Sequence, residues 1–150
     1  MPFSNKRHFL YLYLCTMYHT PPVILFDGVC NFCNSSVNFV IKNDKKGQIK
    51  YAALQSFAGQ QILDDYKFSN ATLDTFVFIE NGKLYTQSTA ALRVCKQLTG
   101  LWPAMYVFII VPRFIRDGVY NFIAKNRYKW FGKKDSCMIP TPDVRSRFLQ

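Results

Sequence analysis

Two cysteines three residues apart follow directly on a short apolar run, and no other part of the chain limits the possible folds as strongly. Val23–Phe26 is apolar and opens with two β-branched residues, which predicts a short buried strand. The Asp27-Gly28 pair predicts a turn, and Cys30 and Cys33 then stand where a helix should begin. The pattern predicts a strand that delivers a pair of thiols to the N-terminus of a helix.

This placement favours redox chemistry at sulfur. The thiolate is the form that attacks disulfides, and the positive end of a helix dipole lowers the pKa of a cysteine at its first turn. We therefore expect Cys30 to be the nucleophile, facing solvent. Cys33 lies one turn further on the same helix face, where it can resolve a mixed disulfide formed on Cys30.

A zinc site is a rival interpretation of two close cysteines. A structural zinc ion needs about four ligands, which usually include a second close pair. Here Cys15, Cys95 and Cys137 stand alone, and the histidines are His8 and His19. We expect no metal.

Two further alternatives concern the same stretch. The run Val23–Val29 resembles the first motif of haloacid-dehalogenase-like phosphatases, but Leu25 occupies the position of the nucleophilic aspartate and cannot form an aspartyl-phosphate. The other alternative is that the two cysteines are merely buried at the start of a helix. That alternative stays open at this point.

Composition predicts one well-buried globular domain, with 49% hydrophobic residues in 150. Five cysteines are an odd number in a chain of this length, which favours a reducing, cytoplasmic location over a secreted disulfide framework. The net charge is +10, and residues 101–150 carry nine Lys or Arg against three acidic residues. This excess indicates an anionic partner or surface, or simply a solvated helix face.

The chain is expected to have three parts. Residues 1–20 are expected to form an N-terminal extension, because the apolar run within them makes a poor signal peptide and is too short to span a bilayer. Residues 21–100 are expected to form a thioredoxin-like core. Residues 101–150 are expected to form a helical extension packed on that core.

Hydrophobic spacing predicts the order β-α-β-α-β-β-α in the core, an α/β thioredoxin-like mixed sheet with additional C-terminal helices. Asn81-Gly82 predicts a type I′ hairpin between the last two strands. After the helix of the cysteine pair, the expected elements are a strand at Ile49–Leu54, a helix from Ser56 to about Tyr66, a strand at Asp74–Ile79, a strand at Leu84–Thr86 and a helix that begins at Ser88 and ends at Gly100.

The last third is expected to add two helices. Leu101–Val111 is apolar and is predicted to be a buried helix that stops at Pro112. The helix after it is predicted to bury Phe114, Ile115, Val119, Phe122 and Ile123 and to expose Arg113, Arg116, Lys125 and Lys129. Basic and aromatic residues alternate in Arg127–Phe131, a pattern that can stack on nucleotides or lie at a membrane surface but more often only packs its rings.

The sequence resembles the DCC family of predicted thiol-disulfide oxidoreductases. The motif Asp-x-x-Cys-x-x-Cys is present as Asp27, Cys30 and Cys33, and further matches lie at Tyr51–Ser56 and Gln87–Leu92. The resemblance runs from about Pro22 to Leu149 and includes the tail from Ala124 to Gly132, Cys137 and Pro140-Thr141-Pro142. It implies a thioredoxin-like fold and dithiol–disulfide exchange.

Several side chains have two interpretations. Asp27 either relays protons during exchange or holds the turn before the helix. Ser88 and Thr89 stand where glutaredoxin-like proteins hold the carboxylate of glutathione, a candidate co-substrate, although Ser88 can equally be a plain helix cap. Asn31 and Phe32, between the cysteines, are expected to affect the redox potential and to contact substrate.

Other features concern two of the three remaining thiols and the strand that faces the pair. Cys137 is a candidate accessory thiol, whereas Cys95 is expected to be inert core. Residues 72–75 occupy the position at which thioredoxins have a cis-proline. These four residues include no proline.

Two functions of different classes follow. The first is a thiol-disulfide oxidoreductase that exchanges a Cys30–Cys33 disulfide with a disulfide-containing protein or a low-molecular-weight thiol, without a further cofactor. The alternative is a non-catalytic binding module whose basic, aromatic C-terminal segment docks on a membrane surface or an anionic partner. No nucleic acid is expected, and the oligomeric state stays open.

Overall fold

The computed structural model describes residues 21–68, 76–133 and 141–149. These residues form four short strands, β1 (Val23–Phe26), β2 (Lys50–Ala53), β3 (Val77–Glu80) and β4 (Lys83–Thr86). The four helices are α1 (Asn31–Asn43), α2 (Phe57–Asp65), α3 (Gln87–Gln97) and α4 (Arg113–Phe131). A 3-10 helix, Trp102–Ile110, joins α3 to α4, and a short 3-10 turn at Arg145–Arg147 lies near the C-terminus.

The strands form one mixed sheet in the order β2-β1-β3-β4. The central strand β1 is parallel to β2 and antiparallel to β3, and β3 is antiparallel to β4. The predicted order β-α-β-α-β-β-α is thus confirmed, and the architecture is that of a thioredoxin-like α/β fold. Of the strand predicted at Asp74–Ile79, residues 74 and 75 lie outside the described residues.

Burial on both faces explains why β1 is a continuous apolar run. Ile24 and Phe26 pack with Val37 of α1 and Val94 of α3 in a core cluster on one face. Leu25 packs on the other face in a second cluster that contains Leu63 of α2. The sheet is therefore covered by helices on both sides, and its central strand ends at the turn that leads to the cysteine pair.

The hairpin between β3 and β4 has the predicted backbone. Asn81 has φ 51° and Gly82 has φ 73°, and two positive φ values in succession define the type I′ turn that fits twisted strands. A local sequence signal was sufficient for this element because the turn geometry depends on only two residues.

The helical extension departs from the prediction of two buried helices. Leu101–Val111 forms mainly a 3-10 helix, and none of its residues is buried. Along α4, Phe114 is 78% exposed and Ile115, Val119 and Phe122 are also exposed. The reason is the layering of the fold. Both segments pack against α3, one layer further from the sheet, and no described element covers their outer side.

The C-terminal residues return to the sheet. The N–H of Leu149 donates to the carbonyl oxygen of Tyr51 at 2.8 Å, and Phe148 packs its ring against Tyr51 with 5.3 Å between ring centroids. Arg147 pairs with the buried Asp44 at 3.1 Å. The chain thus ends beside β2. None of the helices described is long and apolar enough to cross a membrane.

Candidate active site

Cys30 stands at the start of α1, as the sequence predicts. It is the N-cap residue, with φ −82° and ψ 121°, and its Sγ accepts a hydrogen bond from the backbone N–H of Cys33 at 3.4 Å. An N–H directed at sulfur stabilises negative charge there, as does the positive end of the helix dipole. The local backbone therefore directs a hydrogen-bond donor and a helix N-terminus at the sulfur of Cys30.

The expectation that Cys30 faces solvent is wrong. Its side chain is fully buried, because the end of α4 lies across it. Cys30 forms an isolated antiparallel β-bridge with Lys133, and the N–H of Asn31 donates to the carbonyl oxygen of Gly132 at 3.4 Å. The cover depends on contacts between residues about 100 positions apart, which no local pattern predicts.

Asn31 and Phe32, the residues between the cysteines, hold this cover in place. The amide of Asn31 donates to the carbonyl oxygen of Phe131 at 2.9 Å. Phe32 stacks on the ring of Phe131 with 4.9 Å between centroids. In this structure both residues contact the protein's own C-terminal helix, so their predicted contact with substrate stays a prediction.

Cys33 is the more accessible thiol of the pair. It is half-buried and lines a cavity, and both cysteines are free thiols in this structure. Burial raises the pKa of Cys33 well above its ordinary value, and its hydrogen bond to Cys30 raises it further. Arg127 opposes this shift through its positive charge. Cys33 is therefore the more accessible sulfur, whereas Cys30 is the sulfur that stands at the helix N-terminus.

Asp27 is the centre of a buried network at the end of β1. Its Oδ1 accepts from the N–H of Val29 at 3.2 Å and from the amide of Gln55 at 2.7 Å. Its Oδ2 is 3.2 Å from the guanidinium of Arg127 and accepts from the hydroxyl of Tyr128. These contacts show that Asp27 holds the turn before the helix. Its use as a proton relay stays a prediction.

Arg127 opens the alternating basic and aromatic stretch of the sequence, but its charge does not lie at the surface. The residue is only 3% exposed and forms the ion pair with Asp27. It lies on the inner side of α4 with Tyr120, Ile123 and Ala124, at positions i, i+3, i+4 and i+7. A cation in such an apolar stripe requires a buried partner, and this spacing was the signal that sequence reasoning missed.

Gln55 and Tyr128 were also missed as site residues. The side-chain oxygen of Gln55 accepts from the N–H of Gly28 at 3.1 Å while its amide donates to Asp27, so it closes the turn from the side of β2. Burial and then the hydrogen bond to Asp27 raise the pKa of Tyr128 to about 12. Tyr128 therefore keeps its proton and acts as a donor at neutral pH.

A cavity of about 410 Å³ adjoins Cys33. It lies between α1, α3 and α4, and most of its lining is apolar. Cys95, expected to be inert core, instead lies half-buried on its wall. The full lining is Asp27, Phe32, Cys33, Ser35, Ser36, Phe39, Val40, Phe76, Ala91, Val94, Cys95, Leu98, Tyr120, Ile123, Ala124 and Arg127.

Ser88 and Thr89 do not line this cavity. Helix α3 begins at Gln87, and its N-cap residue is Thr86. The interpretation of Ser88 as the N-cap residue is therefore wrong. The buried hydroxyl of Ser88 donates to Asp117 instead. Arg116 donates to the hydroxyls of both Ser88 and Thr89, at 3.2 and 3.3 Å. A role for these hydroxyls in binding glutathione stays a prediction.

Four further expectations concern Cys137, residues 72–75, residues 1–20 and a metal ion. Cys137 and residues 72–75 lie outside the described residues, as do residues 1–20. Within the parts of the chain that are described, no group of three or more His, Cys, Asp or Glu side chains could hold a metal ion.

Comparisons with known proteins agree with the site geometry. The family model described as DCC1-like thiol-disulfide oxidoreductase matches residues 24–133. The uncharacterized protein YuxK of Bacillus subtilis (strain 168) is 53% identical over 127 residues, which is 85% of this chain and 93% of that protein. A chloroplastic DCC family protein of Arabidopsis thaliana is 39% identical over 117 residues, which is 77% of this chain and 68% of that protein. No solved structure matches the chain significantly.

Proposed function

Because the chain belongs to the DCC1-like thiol-disulfide oxidoreductase family, we propose that Cys30 and Cys33 act as a dithiol that reduces disulfides of proteins or of small thiols. The observation that carries the proposal is the hydrogen bond from the N–H of Cys33 to the sulfur of Cys30 at a helix N-terminus. Five cysteines in a chain too long to need a disulfide framework suit a reducing compartment, and we propose a cytoplasmic location.

The exchange has two steps. The Cys30 thiolate attacks one sulfur of the substrate disulfide, so that a mixed disulfide forms, the substrate S–S bond breaks and the first thiol leaves with a proton. The Cys33 thiolate then attacks the sulfur of Cys30, which forms the Cys30–Cys33 disulfide and releases the second thiol. Two electrons pass from the dithiol to the substrate, and a low-molecular-weight dithiol or a reduced partner protein restores the reduced pair.

Access to Cys30 requires movement of its cover. The segment Gly132–Lys133 pairs with the backbone at Cys30, and the hydrogen bond from the N–H of Asn31 to Gly132 is long at 3.4 Å. A long hydrogen bond at the end of a helix is among the first to open. We propose that this opening lets the substrate reach Cys30, while Arg127 stays paired with Asp27 and favours the thiolate of Cys33.

The test is the reduction potential of the pair. The purified protein is equilibrated in graded glutathione or dithiothreitol buffers, alkylated and weighed by mass spectrometry. We expect a reversible two-electron transition that is lost in Cys30→Ser and in Cys33→Ser and is retained in Cys15→Ser, a matched control. A Cys137→Ser variant decides whether that thiol takes part. Thiols that never pair, or that retain stoichiometric zinc, would refute the proposal.

A second candidate function is docking on an anionic membrane surface. The observation that favours it is a set of exposed apolar side chains on the 3-10 helix and on α4, here called the outer apolar surface. It consists of Leu101, Met105, Val107, Phe108, Ile110, Phe114, Ile115, Val119 and Phe122. Soluble monomers rarely leave so many large apolar side chains uncovered, which indicates a binding surface.

The positive charge of residues 101–133 favours an anionic membrane over a second copy of the chain as the partner of this surface. Apart from the buried Arg127, residues 101–133 contain five Lys or Arg but a single acidic residue, Asp117, which is paired with Arg113. A two-fold dimer through this surface would place cations opposite cations, since an isologous interface matches a patch with itself. An anionic bilayer instead offers an apolar layer beneath negative headgroups, which fits both features.

Vesicle flotation tests the docking function. We expect the protein to bind vesicles that contain phosphatidylglycerol more strongly than vesicles of phosphatidylcholine, and to dissociate at high salt. An Ile110→Ser, Phe114→Ser variant should lose binding, whereas Phe57→Ser, at an equally exposed position on α2, should keep it. Cys30→Ser should also keep it. A dimer in analytical ultracentrifugation without vesicle binding would refute this function.

A further inference from the structure

The cavity beside Cys33 has a volume that suits a small molecule. At about 410 Å³ it falls within the range of roughly 300–1,000 Å³ that is common for ligand pockets. Three helices contribute to its wall: Phe39 and Val40 from α1, Val94 from α3 with Leu98 directly after it, and Ile123 from α4. The thiol exchange uses only the sulfur of Cys33 among the residues that line the cavity. The exchange therefore does not account for the remaining volume.

Several polar groups on the wall are engaged within the protein, and a further one, Ser35, is exposed. The hydroxyl of Ser36 donates to the carbonyl oxygen of Phe32 at 2.8 Å, and the hydroxyl of Tyr120 accepts from the N–H of Phe76 at 3.0 Å. Asp27 and Arg127 neutralise each other at 3.2 Å. A charged ligand would lose its hydration in this cavity without gaining an opposite charge that is not already paired, whereas an apolar ligand would lose nothing.

We propose that this cavity binds the apolar substituent of the disulfide substrate, so that the protein selects low-molecular-weight disulfides with aliphatic or aromatic groups over charged ones. The inference rests on the proposed dithiol exchange. Cys33 lines the cavity and its backbone N–H is hydrogen-bonded to the sulfur of Cys30, so a chain attached to that sulfur lies next to a residue of the cavity wall. The substrate is reduced to two thiols while the pair is oxidised to a disulfide, as in the two steps above.

Two linear disulfides of similar length provide the test. Dipropyl disulfide carries only aliphatic chains, whereas 3,3′-dithiodipropionate ends each chain in a carboxylate. The oxidation rate of the reduced protein is measured with each by rapid alkylation and mass analysis, and is divided by the rate of the same disulfide with free dithiothreitol. We expect the normalised rate to be at least about tenfold higher for dipropyl disulfide, as expected for burial of a few methylene groups.

A matched pair of variants locates the selectivity. Ala91 lines the cavity, and Ala104 lies exposed on the 3-10 helix. Ala91→Phe fills the cavity and should bring the ratio of the two normalised rates close to one, whereas Ala104→Phe should leave the ratio unchanged. In the unmodified protein, the unreactive dipropyl sulfide should compete and slow the reaction with dipropyl disulfide. This last measurement does not depend on the folding of any variant.

The possible results separate this inference from the function on which it rests. Equal normalised rates for the two disulfides, or no inhibition by dipropyl sulfide, would overturn the apolar selectivity and leave the dithiol exchange intact. A failure of both disulfides to oxidise the Cys30–Cys33 pair would overturn the exchange itself. A preference for dipropyl disulfide that persists in Ala91→Phe would place the selectivity outside the cavity and overturn the inference.

Discussion

At the scale of single residues, the ion pair of Asp27 and Arg127 ties the turn before the cysteines to the last turns of α4. The two residues are 100 positions apart and are both nearly fully buried. The sequence predicted Asp27 as a site residue because it belongs to a local motif. It did not predict its partner, because no spacing rule connects positions so distant. The same applies to Gln55, which reaches Asp27 from the end of β2.

Loss of Arg127 should therefore be costly. Arg127→Met leaves Asp27 as a buried carboxylate without its cation, and removing one partner of a buried pair costs about 3–5 kcal/mol. Arg113→Met is the matched control, since its ion pair with Asp117 is exposed on the arginine side and contributes about 0.5 kcal/mol or less. Urea unfolding of both variants measures the difference. Similar small losses would show that Asp27 does not depend on the pair.

The thiol of Cys33 should titrate late. Burial is the first cause of its raised pKa, so the shift should persist in Cys30→Ser. In that variant we expect alkylation of Cys33 by iodoacetamide to keep accelerating above pH 9, where an ordinary thiol of pKa about 8.5 levels off. Because the folded chain keeps this proton while the unfolded chain releases it, folding stability should fall as the pH rises through that region. The same protein in urea is the control, and a plateau near pH 9 in the folded state would contradict the prediction.

At the scale of secondary structure, local signals predicted the elements and layering decided their exposure. Strand β1 and the Asn81-Gly82 turn were predictable because a short apolar run and a turn pair need only their neighbours. The apolar stripe of α4 was equally clear, but whether such a stripe is covered depends on how many layers lie between it and the sheet. The outer apolar surface arises there, and no pattern within α4 distinguishes it from a core face.

Helix α2 depends on a close approach that only glycine permits. A Cβ at Gly59 would lie 2.1 Å from the carbonyl oxygen of Ala53, in the strand before the helix. We expect Gly59→Ala to destabilise the fold by about 1–3 kcal/mol despite the better helix propensity of alanine. Gly118→Ala in α4 is the control, where the added methyl meets nothing within 4 Å and should stabilise by about 0.5–1 kcal/mol. Thermal unfolding checks both signs, and a neutral Gly59→Ala would contradict the close approach.

At the scale of the whole molecule, residues 148 and 149 pack against the sheet beside β1 and β2. Residues 141–149 run beside β2, where Phe148 meets the rings of Phe26 and Tyr51 and joins the core cluster on the side of α1 and α3. The sequence assigned this part to a helical extension. The sequence did not predict that this partly polar segment packs at the edge of the sheet, because the contact joins Tyr51 to residues almost 100 positions away.

Removal of the Phe148 ring should measure how much this closure contributes. The ring lies over two buried aromatic side chains, so Phe148→Ala exposes apolar area on both, and we expect a loss of about 2–3 kcal/mol, just below the range for a fully buried phenylalanine. Phe114→Ala removes the same atoms from a position that is 78% exposed and should change the free energy of unfolding by less than about 0.5 kcal/mol.

Guanidinium chloride unfolding of both variants gives the comparison. Equal losses would mean that the tail only rests on the sheet. A loss confined to Phe148→Ala would show that the last residues of the chain stabilise the central strand β1, because Phe26, the last residue of that strand, packs directly against the Phe148 ring. The position of Cys30 would then depend on the C-terminus twice: through the end of α4 that covers it, and through the tail that supports the strand before it.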